Sequence, residues 1–168
     1  MRDRKGAEAM PDALGEALRQ TAERLFDGRN YSHAPIWRQI KDLSAEQALW
    51  RPSPERHCVW EIVRHVAFWK RHFMDSLAGR PTAPLDEDWC LPPRTDAAAW
   101  AAALDDFAAL QRAWVETYGT FTRQALRTPD SDGRFERFAQ VIGYLEHEAY
   151  HTGQIAYLRA LMGLPSVE

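Results

Sequence analysis

Four stretches of the chain repeat apolar residues at the spacing of an α-helix. Leu14, Leu18, Ala22, Leu25 and Phe26 recur over residues 12–26 and mark one face of an amphipathic helix. Gly28 lies just past the last of them and ends it. Val59, Ile62, Val63, Val66, Trp69 and Phe73 do the same over residues 58–77, closed by Gly79-Arg80-Pro81. Thr95-Asp96 caps a third helix that carries Trp100, Leu104, Phe107, Leu110 and Trp114 to Tyr118 and stops at Gly119. A fourth spans residues 134–162, with Gly163 and Pro165 beyond it and the turn cluster 129–133 ahead of it. Between the first and second helices, Pro35, Pro52 and Pro54 break the chain into short pieces. A short helix is expected near residues 36–41, and Ser44-Ala45-Glu46-Gln47 reads as a capping box opening another. No segment alternates with period two for long enough to predict a strand.

Four long amphipathic helices predict an all-α four-helix bundle. Residues 80–94 hold Pro81, Pro84, Pro92 and Pro93 and read as a loop. The second helix is roughly 30 Å long, and this loop can stretch roughly 50 Å. It can travel back along the bundle, so helices two and three can run parallel. Residues 1–10 read as a loose polar lead-in, and residues 11–168 as a single domain.

Composition narrows the function classes. Hydrophobic residues make up 45% and charged residues 27% of the 168 positions, and formal net charge is -3. That is an ordinary globular balance with no basic face, so nucleic acid is not an expected partner. No apolar run reaches membrane-spanning length. The charged start Met1-Arg2-Asp3-Arg4-Lys5 has no apolar segment behind it, and a cytoplasmic address is expected. Cys58 and Cys90 form no CxxC and are expected to be free thiols. Seven Trp supply core and pocket walls.

The chemistry concentrates in His147-Glu148-Ala149-Tyr150-His151, which continues into Thr152-Gly153-Gln154-Ile155. Two histidines four apart on a helix share a face and can reach one metal ion. The same residues match the HExxH of zinc proteases. The protease reading weakens because the longer metzincin pattern needs Gly and His where Gln154 and Tyr157 stand. Glu168 is the only later acid, so a third ligand is expected from upstream. His65 lies among Val63, Val66 and Trp69 on the apolar-rich part of the second helix and fits that role. Three neutral histidines leave a cation its charge and an open coordination position, which is a catalytic arrangement.

Other polar residues compete with the triad. His72 lies two turns beyond His65, too far along the axis to share the ion, and His33 and His57 read as ordinary polar residues. Glu61, four before His65, could be a fourth ligand or accept a bond from one. Trp69 reads as a pocket wall. Glu148 points about 100° away from His147, toward a neighbour or solvent, though it could also hold an imidazole tautomer. Gln154, one turn after His151, could bond to a ligand.

Residues 60–69 (Trp60-Glu61-Ile62-Val63-Arg64-His65-Val66-Ala67-Phe68-Trp69), residues 147–155, Leu43-Ser44-Ala45-Glu46-Gln47-Ala48 and Arg51-Pro52 together resemble the DinB-like (DinB/YfiT) superfamily. The likeness covers the chain beyond about residue 10. It implies an up-down-down-up bundle, frequent homodimerisation, and a divalent site on His65, His147 and His151. It also implies chemistry with a low-molecular-weight thiol such as bacillithiol or mycothiol. The expected activity is a metal-dependent transfer of such a thiol to a small-molecule electrophile through a metal-bound thiolate. A hydrolase using a metal-bound water and a non-catalytic stress-response bundle are the alternatives. Imidazole ligands favour zinc or nickel, with iron or manganese open.

Overall fold

The structure, a computed structural model, describes residues 12–29, 34–129 and 133–167. The lead-in and His33 lie outside the described residues. Within them the chain forms α1 (Ala13–Phe26), α2 (Ile36–Ile40), α3 (Ala45–Leu49), α4 (Val59–Leu77), α5 (Ala97–Gly119), α6 (Arg123–Leu126) and α7 (Arg137–Leu161). A 3-10 turn at Leu85–Glu87 interrupts the connection from α4 to α5.

Local chemistry sets most of the boundaries. The Asp12 carboxylate accepts from Leu14 N (3.1 Å) to start α1 and from Arg123 N (2.7 Å) to fasten α6 against it. Ser44 and Gln47 form the expected capping box of α3, and Asp96 accepts from Ala99 N to start α5. Gly79 takes φ +65°, and Arg80 N reaches back to Asp75 O at 2.8 Å, which closes α4.

Three boundaries differ from the sequence reading. Gly119 stays inside α5, and Thr120 forms its C-cap. The short helix α6, capped by Thr122, was not expected. Helix α7 starts at Arg137 because Pro129 and Glu136 pair as an isolated bridge and Arg137 N donates to Thr128 O (2.9 Å). The turn cluster therefore extends further than its Pro and Gly residues suggested.

Cross-helix contacts fix the topology. Trp60 lies against Trp100 (ring centroids 4.9 Å), Lys70 meets Phe107, and Phe73 packs on Trp114 (5.5 Å). Residue numbers rise together on α4 and α5, so these helices are parallel. Numbers run oppositely between α4 and α7, where His65 is next to His151 and Phe73 next to Tyr144. They also run oppositely between α1 and α5, where Phe26 meets Phe107 and Ala22 meets Gln111. The bundle is thus up-down-down-up, and the segment after Gly79 runs back along it.

The core is divided. One apolar cluster gathers Ile36, Trp60, Val63, Trp100, Phe107 and Ile155, and a second gathers Leu18, Phe73, Trp114, Tyr118, Val141 and Leu145. Between them lies a polar layer. Lys70 is 2% exposed and Glu148 1%, with Lys70 Nζ 2.9 Å from Glu148 Oε2. Lys70 Nζ also donates to Gln111 Oε1, and Gln111 Nε2 donates to Ala22 O (3.0 Å). The layer therefore joins all four long helices. Near the end of α7, buried Arg159 forks onto Asp42 (2.7 and 2.9 Å) and donates to Gln39 O (2.8 Å), holding the α2–α3 corner.

Removing one member of the buried pair strands the other. Lys70→Ala is expected to cost about 3–5 kcal/mol, whereas the double change Lys70→Met with Glu148→Leu should stay close to the wild type. Urea denaturation of the variants measures this. A loss under about 1 kcal/mol for Lys70→Ala would remove the pair from its structural role.

Candidate metal centre

Helix α4 supplies His65, and α7 supplies His147 and His151 one turn apart. The antiparallel packing of the two helices turns all three imidazoles inward. His147 Nε2 lies 2.9 Å from His65 Nε2 and 3.0 Å from His151 Nε2. All three candidate ligand atoms fall within 4.8 Å of one another. His65 and His151 are buried, and His147 is half-buried.

Two of the rings are held from behind. His65 Nδ1–H donates to Asp88 Oδ1 at 2.7 Å. His151 Nδ1–H donates to Gln154 Oε1 at 2.7 Å, and Gln154 Nε2 donates in turn to the Tyr150 hydroxyl at 3.0 Å. Each bond places the proton on Nδ1 and leaves a lone pair on Nε2 facing the other rings. A proton on His147 Nε2 can bridge to only one neighbour, and the other close N···N contact is then left with no proton between its atoms. A cation relieves both. Nitrogen ligands on a zinc-type cation stand about 3.3 Å apart, so the two short contacts of His147 would need to open by only a few tenths of an ångström. The donor set fits a divalent metal of the zinc type.

Electrostatics agree with neutral ligands. Burial, reinforced by the neighbouring imidazoles, pushes His147 down to about 4. Burial pushes His151 down to about 4 as well, against the opposing bond to Gln154. Burial also lowers His65, with Asp88 opposing it.

The acids weighed in the sequence fall elsewhere. Glu61 is neither a ligand nor bonded to one. Its two oxygens receive a fork from Arg51 (2.7 and 2.6 Å), and Oε2 also takes His57 Nδ1–H and Cys58 N (each 3.1 Å). It stands three residues after the N-cap Cys58, where a carboxylate reaches back to cap the helix. Glu148 holds no imidazole; it faces the neighbouring helix and pairs with Lys70. Trp69 lies edge-on to His65 at 6.4 Å, and its Nε1 donates to Asp88 Oδ2 at 3.1 Å. His72 packs against Trp69 instead of joining the triad.

Two site residues were missed in the sequence, Asp88 and Trp89. Both lie on the returning loop. The Trp89 indole stacks on His65 (centroids 3.7 Å, 17° between planes), and its other stacking partner is His57 (3.9 Å, 19°). It also meets His151 edge-on at 5.8 Å. His57, read as an ordinary polar residue, is thus part of the wall. Trp89 takes φ +65°, an uncommon conformation for a bulky residue, with its N–H on Asp88 Oδ1 (2.9 Å). Nothing in the spacing of the loop signals these roles, because the return path alone brings them to His65.

Known proteins supply the remaining context. Among solved structures, YfiT from Bacillus subtilis, described as a probable metal-dependent hydrolase with an unusual four-helix bundle topology, matches with TM-score 0.67 and 18% identity. The match covers 98% of this chain and 97% of that one. A conserved protein from Enterococcus faecalis matches with TM-score 0.59 and 18% identity over 89% and 95% of the two chains. At that identity both show a shared fold. No curated protein sequence matches the chain. The sequence profile of the DinB superfamily matches residues 34–155, which include His65, His147 and His151, and the chain belongs to that superfamily.

Proposed function

We propose that this protein is a divalent-metal-dependent transferase that joins a low-molecular-weight thiol to a small electrophile at the His65–His147–His151 centre. One observation carries the choice of chemistry. Glu148, Glu61 and Asp88 all have partners: Glu148 pairs with Lys70, Glu61 with Arg51 and His57, and Asp88 with His65 and Trp69. None is free to take a proton from water. A cation among three neutral imidazoles would supply undiminished positive charge, which stabilises a thiolate at neutral pH. The protein's own part is to aim the lone pairs of His65 and His151, through Asp88 and Gln154, and to cover His65 with the Trp89 ring. Zinc and nickel suit this donor set best.

Hydrolysis is the second reading. It is favoured by the likeness in fold to YfiT, itself described as a probable metal-dependent hydrolase. A metal alone can make water acidic enough to react without a protein base.

Three measurements follow. Elemental analysis of His151→Ala should show metal falling toward background while circular dichroism stays helical; full occupancy would dismantle the triad. Asp88→Ala should weaken metal affinity about 10–100-fold in a chelator competition. Asp88→Asn, which keeps both the bulk and an acceptor for His65 Nδ1–H, should lose less, and equal losses would show that Asp88 acts through its negative charge and not through the hydrogen bond it accepts. Finally, metal-loaded protein should convert a generic aryl halide only when a thiol is added, with the thiol's sulfur in the product. Thiol-independent turnover with water's oxygen in the product would hand the assignment to hydrolysis.

A further inference from the structure

Next to the triad is a cavity of about 560 Å³, walled by the 52–57 loop and by the last turns of α7. It begins one helical turn from the ligands on both helices: Ile62 precedes His65 by three residues, and Gln154 follows His151 by three. Gln154 lines the cavity and is the residue that holds His151 Nδ1. The volume is that of a small-molecule site.

The wall has two characters. Ile62, Leu158, Leu161 and the Tyr157 ring make it apolar. Tyr157 is 67% exposed and Leu161 46%, so apolar surface on this rim stays in contact with water. The polar end is the loop. There Glu55 already accepts from the Ser53 hydroxyl at 3.1 Å. The backbone of Arg56 is pinned, since its carbonyl accepts from Arg51 Nη1 at 2.7 Å. Arg51 itself is spent on Glu61. The Arg56 guanidinium has no acceptor among the described residues and lines the cavity with its donors free. His57, beside it, is bonded to Glu61 and stacked on Trp89, which lies in turn on His65.

We infer that this cavity seats a carboxylate-bearing small molecule with an apolar body. The carboxylate meets Arg56 in a forked pair, the body lies on Ile62, Leu158 and Tyr157, and the remaining end points along Gln154 toward the triad. This deepens the transferase reading by naming the class of its small-molecule substrate, and it rests on that reading for the reaction but not for the binding.

The test uses metal-loaded, full-length protein with 4-phenylbutanoate and its uncharged amide as probes, titrated by calorimetry. The carboxylate should bind about tenfold more tightly than the amide, the size of effect expected of one partly solvated charge-assisted fork. Arg56→Gln should erase that preference while leaving the amide's affinity and the metal content unchanged. Leu158→Ala should weaken both probes together. Equal binding of the two probes, or a preference that survives in Arg56→Gln, would overturn the inference. Carboxylate binding that persists in a metal-free His147→Ala protein supports the seat while removing the reaction centre, so the two readings fail separately.

Discussion

A lysine buried to 2% exposure is unfavourable in a helical bundle unless a partner meets it, and Lys70 has one carboxylate to meet it, Glu148. Desolvating each ion costs several kcal/mol, which only a short, well-placed contact offsets. Burial lowers the Lys70 pKa and Glu148 opposes that shift. The pair therefore tolerates little rotation or sliding of α7 against α4. Glu148 follows His147 directly in sequence. The rotation that delivers its carboxylate to Lys70 also delivers His147 and His151 to His65. Gln111 extends the same constraint to α5 and, through Ala22 O, to α1. The charged layer between the two apolar clusters is thus a register device for the metal centre above it.

The second constraint is topological. Parallel α4 and α5 force their connection to travel back along the bundle, and that path crosses the triad. Asp88 then orients His65, and Trp89 lies flat on its ring. A simple up-down-up-down bundle would join these helices by a short turn and would leave His65 Nδ1 without this carboxylate. The order of the helices and the quality of the site are for this reason one property of the fold.

The long helices and the triad were legible because both rest on short-range periodicity. Apolar spacing located α1, α4, α5 and α7, and the i,i+4 rule put His147 and His151 on one face. The possible bond from Gln154 to a ligand was legible by the same rule. What was illegible depended on distant chain. Asp88 and Trp89 are 23 and 24 residues beyond His65 in a proline-broken loop, and no local pattern states where such a loop lands. The spacing of Glu61 from His65 leaves it open as a fourth ligand or an acceptor for one, but Arg51, ten residues upstream, draws it the other way. Helix α6 is too short for periodicity and is held by a cap from Thr122 and by the remote Asp12.

The fate of Glu148 explains why HExxH here does not lead to a peptidase-like centre. In that motif the acid must stand beside the metal, free to exchange a proton. On this helix the residue after His147 is rotated by about 100° and enters the core, where a lysine from α4 neutralises it. A carboxylate that bears the load of a buried cation cannot be protonated in a reaction cycle without exposing Lys70 to the full cost of burial. Holding the bundle together and acting as a base are therefore incompatible demands on one side chain. In this structure packing takes precedence, and Glu148 is spent on Lys70 and not on the three histidines.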